Sequence, residues 1–308
     1  MTQGTHVGLV GCGRWGRHVL RDLRALGCEV TVVARGDGSA RAAADGGADR
    51  VVRTVPELPE VAGVVVVTPT TTHAEVLGAL LERDVPIYCE KPLTDDPATA
   101  LALVRSAPDR LFVMHKWRYH HGVRELARIA RSGELGHVEG LRSTRVGWGN
   151  PHGDVDGVWM LAPHDLSIAL EVLGEIPTPR AAAAERSGGL VTGLVGVLGE
   201  APWLAIDVSI AHGLRRREVR LICDGGVAVL GDSYASEVLV LRGDLQGQVS
   251  RDEEHRPVSD ELPLFSELRA FVHHLRGGPP PLSSAADGLA EVRAIGRLRE
   301  LAGLQVSS

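Results

Sequence analysis

Lysine is almost absent from this chain of 308 residues. Lys91 and Lys116 are the only two lysines, although lysine and arginine together number 33. Lys91 stands between a glutamate and a proline in IYCEKPL, directly after a short apolar run that predicts a buried strand. An amine at this place, in a chain that otherwise uses arginine, makes Lys91 the first candidate for a chemical role.

The chain also lacks long apolar runs and an excess of positive charge. No segment approaches the roughly 20 apolar residues that cross a bilayer, and the N-terminus enters a strand pattern without the basic and apolar regions of a secretory signal. A net charge of -6 argues against a surface that binds nucleic acid. We therefore expect a cytoplasmic protein that binds neither nucleic acid nor membranes.

Cysteine is scarce as well, and none of the four cysteines lies in a C-x-x-C pair. This spacing matches neither a zinc knuckle nor a disulfide framework, so we expect reduced thiols. A group of His and Asp residues has some appeal as a metal site, and it comprises His152, Asp154, Asp156, His164 and Asp165. Because their spacings match no strong metal template, we predict that the protein binds no catalytic metal.

Two patterns of apolar residues divide the chain. From residue 5 to about 115, short β-branched runs alternate with amphipathic helical segments, which predicts a doubly wound α/β fold around a parallel sheet. After residue 119, several strand-like runs follow one another, which predicts an α+β domain with an open, mostly antiparallel sheet. We predict a dinucleotide-binding Rossmann domain over residues 1–118, and a domain for substrate binding and oligomerisation over residues 119–308.

The glycines near the N-terminus predict a cofactor site. Gly11, Gly13 and Gly16 form the pattern G-x-G-x-x-G between a predicted strand and a predicted helix. The first glycine allows a sharp turn, the second lets the backbone approach a pyrophosphate, and the third allows close packing of helix on strand. The phosphates then lie at the helix N-terminus. We predict a dinucleotide site that includes Arg14 and Trp15, with a packing role as the alternative for Trp15.

The choice of cofactor depends on the end of the second strand, where an acidic residue would bind the ribose 2′-hydroxyl of NAD. The segment EVTVVARGDG has Arg35 at that point, and Asp37 follows two residues late. Since an arginine can pair with a 2′-phosphate, the sequence favours NADP over NAD. The alternative is that Arg35 points into solvent.

Lys91 follows the fifth predicted strand, so we expect it at the same carboxyl edge of the sheet as the glycine turn. An ammonium group there can hydrogen-bond a substrate hydroxyl, stabilise the developing alkoxide and relay a proton. Glu90 is a candidate ion-pair partner. The alternative is a solvated surface lysine.

His164, in WMLAPHDLSIAL, is the second candidate for a catalytic group. It follows a polar, glycine-rich loop that carries His152 and Asp154, and such a loop is a reasonable rim for a polar ligand. In the structural alternative, Pro163 starts a helix that has Asp165 in its first turn.

Five motifs occur in an order that resembles the Gfo/Idh/MocA family of oxidoreductases, which includes glucose-fructose oxidoreductase and inositol dehydrogenase. They are G-C-G-R-W-G, VVVVTPTTTHAEV, CEKPL, SGELG and APHDLSIALEVLG. The resemblance extends to the DGLAEVRAI segment near the end of the chain. The combination of E-K-P with T-P-x-x-x-H is the specific part of it.

In the first half of the chain, the resemblance implies a cofactor cleft and a catalytic element. Thr68, Pro69 and His73 are expected to line the nicotinamide side of the cleft. Glu90 and Lys91 are expected to form the E-K-P element, in which the bond before the proline is often cis in relatives.

In the second half, the resemblance matches His164 to the active-site histidine of the family, which is the expected general base. The segment KWRYHH matches the entry into the second domain, so Arg118 and Tyr119 are expected to contact substrate, and Asp165 is a further candidate. The form WxLAPHDLSI is most similar to members that act on nucleotide-linked sugars. Met160 stands where many relatives have an acidic residue, which leaves the substrate and the proton relay open.

Together these features predict an NAD(P)-dependent oxidoreductase that acts on a carbinol or ketone carbon of a sugar, a cyclitol or a sugar nucleotide. His164 would take the hydroxyl proton during oxidation while Lys91 polarises the oxygen. The alternatives are a non-catalytic dinucleotide-binding sensor or scaffold, and an imine reductase. Relatives commonly use the open sheet for self-association, so a homodimer or homotetramer is expected.

Overall fold

The computed structural model of the chain describes residues 4–150, 153–243 and 249–304. Within these ranges, no helix is both long enough and apolar enough to cross a membrane. All four cysteines belong to the described residues, and each is a buried free thiol. No three His, Cys, Asp or Glu side chains in this part of the chain lie close enough together to hold a metal ion.

The chain divides into two compact units. The first comprises Met1–Lys116 and Leu264–Val292, and the second comprises Trp117–Pro263 and Arg293–Ser308. The sequence-based division placed all of the later residues in one domain. The segment Leu264–Val292 instead groups with Met1–Lys116, because side chains such as Phe271 pack into the core of that unit.

The first unit contains a sheet of six parallel strands. The strands are β1 (His6–Val10), β2 (Glu29–Val33), β3 (Arg50–Val52), β4 (Gly63–Val66), β5 (Ile87–Glu90) and β6 (Leu111–Met114). The helices between them are α1 (Gly16–Ala25), α2 (Asp37–Asp45), α3 (His73–Leu81) and α4 (Pro97–Ser106), and short 3-10 helices cover Val55–Glu57, Thr70–Thr72 and Lys116–Tyr119. The strand order is β3-β2-β1-β4-β5-β6. This order reverses direction between β1 and β4, which confirms the predicted doubly wound class.

The centre of this sheet is apolar on both faces. Val64, Val65 and Val66 of β4 are fully buried, as expected for a parallel strand with helices on both sides. Leu20 of α1 packs into the same core. The helix ends before Gly27, which has a φ of +76°, a conformation that glycine adopts without strain.

The second unit contains an eight-stranded sheet. Its strands are β7 (Val138–Trp148), β8 (Pro179–Ser187), β9 (Leu190–Leu198), β10 (Trp203–Ser209), β11 (Ala211–Cys223), β12 (Gly226–Leu230), β13 (Glu237–Gly243) and β14 (Val249–Pro257). The strand order is β14-β13-β12-β11-β7-β10-β9-β8. Neighbouring strands are antiparallel except for β7 with β10, which confirms the prediction of an open, mostly antiparallel sheet.

Helices cover one face of this sheet. α6 (Gly157–Leu173) packs on β7, β9 and β10, and α5 (His121–Ser132) packs on β12 and β13. The opposite face is exposed in β9, where Val195 is 53% and Val197 is 41% accessible. Two further helices follow the sheet, α7 (Pro263–Leu275) and α8 (Ala285–Leu301).

α6 begins earlier than Pro163, the helix start offered by the structural alternative for this segment. The carboxylate of Asp156 caps the helix by accepting the backbone N–H groups of Val158 and Trp159. Pro163 therefore lies inside the helix. As a result, His164 lies in the middle of α6 rather than in its first turn.

Candidate active site

Glycine is required in the turn after β1. Gly11 has a φ of +98°, and a Cβ atom there would lie 2.9 Å from the carbonyl oxygen of Val67. At Gly16, a Cβ atom would lie 2.5 Å from the carbonyl oxygen of Gly11. Around Gly13, by contrast, a Cβ atom would meet no described atom within 4 Å. The backbone at Gly13 is therefore open to the approach of a ligand.

The N-terminus of α1 lies at this turn. No side chain of the described residues caps the helix, and its first turn contains no acidic residue. The helix dipole and the backbone N–H groups at a helix N-terminus favour an anion at such a position. Arg14 is exposed beside it, and the buried indole Nε1 of Trp15 has no hydrogen-bond partner among the described residues. These features fit the pyrophosphate of a dinucleotide.

Thr68 lies beside the glycine turn. Its methyl carbon is 3.2 Å from the Cβ position of Gly11. Its hydroxyl oxygen is buried and has no hydrogen-bond partner within the described part of the chain. Because a buried hydroxyl without a partner is costly, Thr68 fits the predicted cofactor contact. Pro69, which follows it, is exposed.

His73 was predicted to line the cofactor cleft, but its imidazole is buried in the first unit. Nδ1 lies 2.9 Å from the carbonyl oxygen of Pro92, and Nε2 lies 2.9 Å from that of Thr68. Burial lowers the pKa of His73, so the neutral ring has one N–H to donate to one carbonyl at a time. His73 thus ties the chain after β4 to the chain after Lys91, and a direct contact with cofactor would need its ring to leave this position.

The E-K-P element ends β5 at the same carboxyl edge. Glu90 and Lys91 are both half-buried, and a carboxylate oxygen of Glu90 accepts the backbone N–H of Lys91 at 2.9 Å. The peptide bond between Lys91 and Pro92 is cis, as the resemblance implies. Since β5 neighbours β4 and β4 neighbours β1, this element, Thr68 and the glycine turn follow adjacent strands.

Two ionisable residues at this edge were not predicted from the sequence as part of the site. Lys116 follows β6, and its Nζ lies 4.3 Å from the ring centroid of Trp15. Glu267 of α7 is fully buried, and the hydroxyl of Tyr88 donates a hydrogen bond to it at 3.3 Å. Burial raises the pKa of Glu267 well above its ordinary value, and the charge of Glu90 adds to the rise while that of Lys116 opposes it.

The sequence contains a signal for one of these two residues. Lys116 follows β6 as Lys91 follows β5, in a chain that has two lysines. Glu267 offers no such signal, because a lone glutamate in a helical pattern is ordinarily exposed.

Arg35 is the second residue after β2 and forms an ion pair on the surface. Its Nη2 is 2.6 Å from a carboxylate oxygen of Glu75, and the two side chains are 66% and 67% accessible. Nearby, Arg53 pairs with Asp37 at 2.8 Å. A 2′-phosphate at Arg35 would have to compete with the carboxylate of Glu75.

In the second unit, His164 is partly exposed and borders an aromatic ring. The ring centroids of His164 and Trp117 are 6.3 Å apart at an interplanar angle of 66°. The guanidinium of Arg145 covers Trp117 at 4.3 Å from its centroid. Arg145 in turn donates to Asp165 at 3.0 Å, and the hydroxyl of Ser143 donates to the same carboxylate at 2.5 Å.

Asp165 was predicted to contact substrate, but the structure places it in the interior of the second unit. Its carboxylate is fully buried and is bonded by Arg145 and Ser143. Asp165 thereby positions Arg145 over Trp117, the ring that borders His164. The sequence gives no sign of Arg145, because its role depends on contact between β7 and α6.

The other substrate candidates are also in the second unit. Arg118 pairs with a glutamate of α6 at 3.2 Å, and Tyr119 is buried. Asp154 is partly exposed in the turn before α6, whereas His152 lies outside the described residues. Met160, at the position where many relatives are expected to have an acidic residue, is buried on α6.

Comparison with known proteins places this chain in a family. Residues 5–115 match the model GFO_IDH_MocA, described as an oxidoreductase family with an NAD-binding Rossmann fold. The chain is 31% identical over 311 residues to inositol 2-dehydrogenase 4 of Saccharopolyspora erythraea, a match that covers 94% of this chain and 90% of that protein.

Two solved structures are similar to the whole chain. UDP-N-acetylglucosamine 3-dehydrogenase from Acidithiobacillus ferrooxidans has a TM-score of 0.83 at 22% identity, covering 97% of each chain. A 3-ketoreductase from Actinomadura kijaniata, in complex with TDP-benzene and NADP, has a TM-score of 0.82 at 20% identity, covering 96% of this chain and 97% of that one.

The structural matches show a shared fold along nearly the full length of the chain. The match to the inositol dehydrogenase extends over most of both sequences at more than 30% identity, and the family model matches the nucleotide-binding half. Both agree with the resemblance that the motifs indicated. The chain therefore belongs to the Gfo/Idh/MocA family of NAD-binding oxidoreductases.

Proposed function

We propose that this oxidoreductase transfers hydride between the nicotinamide of NAD(P) and a carbinol or ketone carbon of a sugar, a cyclitol or a nucleotide-linked sugar. The observation that carries the proposal is the carboxyl edge of the first sheet. There, the open backbone at Gly13, the Thr68 hydroxyl, which has no hydrogen-bond partner among the described residues, and the amine-bearing Lys91 follow adjacent strands. A cofactor bound at this edge would supply or accept the hydride.

Lys91 and His164 are the proposed acid-base pair. His164 accepts the hydroxyl proton during oxidation, and the amine of Lys91 hydrogen-bonds the same oxygen and stabilises its negative charge. Ketone reduction uses the same groups in reverse. Support for the pair comes from the family motifs, from the half-buried position of Lys91 and from the partial exposure of His164 beside Trp117.

NADP is the proposed preferred cofactor. Arg35 stands where an acidic residue would serve NAD. Its ion pair with Glu75 is highly exposed, and exposed pairs of this kind contribute only about 0–1 kcal/mol. A 2′-phosphate can therefore replace the Glu75 carboxylate at small cost.

We also propose that the protein is a cytoplasmic homodimer or homotetramer. The uncovered face of the second sheet exposes Val195 and Val197, and Ala183 and Ala181 lie opposite them on β8. An apolar surface of this kind is a candidate for self-association. The four buried free thiols suit a reducing compartment.

The test is a nicotinamide-linked absorbance assay with NAD and with NADP over inositols, hexoses and nucleotide sugars. Purified protein is expected to turn over at least one of these substrates. Lys91→Met and His164→Ala are each expected to lower kcat by about 10²- to 10⁴-fold, the range of a positioned acid-base group.

Binding of the cofactor is measured in parallel, because both variants are expected to retain it. Normal turnover in both variants would exclude the acid-base assignment. Tight cofactor binding without hydride transfer to any substrate of the panel would instead favour a sensor or scaffold.

A further inference from the structure

β11 contains three consecutive arginines, Arg215, Arg216 and Arg217, that the proposed reaction does not use. The pairing of β11 with β7 is irregular between Ala211 and Arg216 and regular from Arg216 to Ile222, with Arg217 opposite Arg145. Directly opposed residues of neighbouring strands lie on the same face of a sheet. Arg217 therefore shares the face that carries Arg145 and α6.

Arg217 differs from its two neighbours on this face in its partners. Arg145 and Arg215 each have an aspartate partner, at 3.0 Å and 2.9 Å. Arg217 donates to the backbone carbonyl oxygens of Val146 and Arg216. No carboxylate of the described residues lies within ion-pair distance of it, so its positive charge has no direct counterion in that part of the chain.

The charge on Arg217 is less favourable in the protein than it would be in water. The side chain is half-buried, and burial, together with the positive charges of Arg145 and Arg215, lowers its pKa to about 10. A cation that is partly removed from water and placed beside two others is stabilised by a nearby negative charge. The planar guanidinium is suited to bonding a carboxylate or a phosphate with two N–H groups.

The same face connects Arg217 to the proposed base. Arg145 lies opposite Arg217, and its guanidinium covers Trp117, the ring that borders His164. On the other side of Arg217, Arg215 lies 5.3 Å from the ring centroid of Tyr234, a residue that is 78% accessible. A series of neighbouring side chains thus runs from His164 through Trp117 to the arginines of this face and ends at the exposed ring of Tyr234.

We propose that Arg217 binds an anionic group of the substrate, a carboxylate or a phosphate, and that the substrate is an acidic or phosphorylated sugar rather than a neutral sugar or cyclitol. This inference rests on the proposed function, because it takes the molecule bound at Arg217 to be the substrate of that reaction. The anionic group binds at Arg217, while the carbon that exchanges hydride lies toward His164.

The kinetic test uses matched pairs of substrates that differ in charge. Glucuronate is compared with glucose, and UDP-N-acetylglucosamine with N-acetylglucosamine, so that a carboxylate and a phosphate source are separated. The acidic member of at least one pair is expected to have the higher kcat/KM. Arg217→Gln is expected to raise its KM by about 10- to 100-fold, the range for a lost hydrogen bond to a charged group, with kcat changed little.

Two further variants control this measurement. Arg217→Lys keeps the charge but loses the two-point geometry, so it is expected to recover part of the affinity. Arg216→Gln removes the adjacent arginine, which pairs with Glu218 at 2.7 Å, and it is expected to leave KM unchanged. Equal kcat/KM for neutral and acidic members, or an unchanged KM in Arg217→Gln, would overturn the proposal.

A binding measurement separates this inference from the proposed function. The protein is first saturated with NADP, so that the site at the glycine turn is occupied. It is then titrated calorimetrically with glucuronate and with inorganic pyrophosphate. At least one of the two is expected to bind to wild type and to raise its melting temperature, and to do neither in Arg217→Gln. Binding that depends on Arg217 without any turnover would leave the anion site standing and remove the proposed reaction.

The opposite combination is also decisive. Turnover of neutral cyclitols, with anion binding equal in wild type and Arg217→Gln, would leave the reaction standing and remove the anion site. Circular dichroism and the melting temperature of ligand-free Arg217→Gln check its folding. We expect little loss of stability, because the substitution removes two hydrogen bonds to backbone carbonyls but also a charge that has no direct counterion among the described residues.

Discussion

The two units prepare their ligand-binding features by different means. In the first unit, the features that fit a dinucleotide belong mainly to the backbone, namely the turn at Gly11, the close contact at Gly16 and the open space at Gly13. In the second unit, side chains surround His164 and fix one another's positions. Arg145 donates a hydrogen bond to Asp165 and lies over the ring of Trp117. A backbone site suits a group common to all dinucleotides. Features made of side chains can change with single substitutions, so we expect the second unit to determine which substrate is bound.

Buried charge shows the same difference. Burial raises the pKa of Glu267 in the first unit and so favours its neutral form, and a tyrosine hydroxyl donates a hydrogen bond to it. Asp165 of the second unit faces a buried guanidinium at 3.0 Å, so it is a counterion. Replacing each carboxyl with its amide is therefore expected to have unequal effects.

Asp165→Asn is expected to produce the largest loss of stability, about 3–5 kcal/mol, because it leaves Arg145 as an uncompensated buried charge. The free energy of unfolding is measured by urea titration. Glu200→Gln is the control, since its ion pair with Arg180 is exposed on both sides and a change within about 1 kcal/mol is expected. A loss in Asp165→Asn no larger than in this control would contradict the assignment of Asp165 as counterion.

Gly16→Ala tests the backbone site of the first unit. The added Cβ would lie 2.5 Å from a backbone oxygen that cannot move aside easily, so we expect a loss of roughly 1–3 kcal/mol in stability and weakened binding of cofactor. Gly78→Ala is the matched control, because it lies in α3 with no described atom within 4 Å of its Cβ position. That variant is expected to be more stable by about 0.5–1 kcal/mol. Unchanged cofactor affinity in Gly16→Ala would contradict the proposal that the backbone of this turn forms the cofactor site.

Glu267→Gln tests whether the buried acid of the first unit is neutral. An acid with a raised pKa holds its proton more tightly in the folded protein. The free energy of unfolding of the wild type should therefore fall as the pH rises above 4.5, the ordinary glutamate value, and until the raised pKa is reached. Glu267→Gln lacks this dependence, so its stability relative to wild type is expected to rise with pH over that interval. Urea titrations at several pH values check it, and a difference that does not vary with pH would show that Glu267 titrates ordinarily.

Arg35 and Glu75 are expected to give the smallest effect. Arg35→Gln should weaken NADP binding roughly two- to fivefold and leave NAD unchanged, because exposed charge pairs contribute at most about 1 kcal/mol. Glu75→Gln, which removes the competing carboxylate, should strengthen NADP binding by a similar factor. Fluorescence titration with both cofactors measures this, and equal effects on NAD and NADP would remove Arg35 from 2′-phosphate recognition.

The parts of the site that the sequence predicts are those defined by residues close together in the chain. The glycine turn, the end of β5 at Lys91 and the alternation of strands and helices are all local patterns, and each is present in the structure. The surroundings of a side chain could not be predicted in this way. His73 and Asp165 were expected at a ligand, but hydrogen bonds to distant segments hold both of them in the interior.

The pattern of apolar residues was enough to predict the fold class of each half, because the spacing of buried apolar residues differs between strands and helices. The sequence also determined that a turn too tight for any side chain stands at the end of β1. The partners of the buried ionisable groups became known from the folded units. Glu267 accepts a hydrogen bond from Tyr88, and Asp165 pairs with Arg145. Arg217 lies opposite Arg145 and has no carboxylate among the described residues within ion-pair distance. These partners could not be predicted from the pattern, because the favourable state of a charge depends on its burial and on residues far away in the chain, and both exist only after the units have folded.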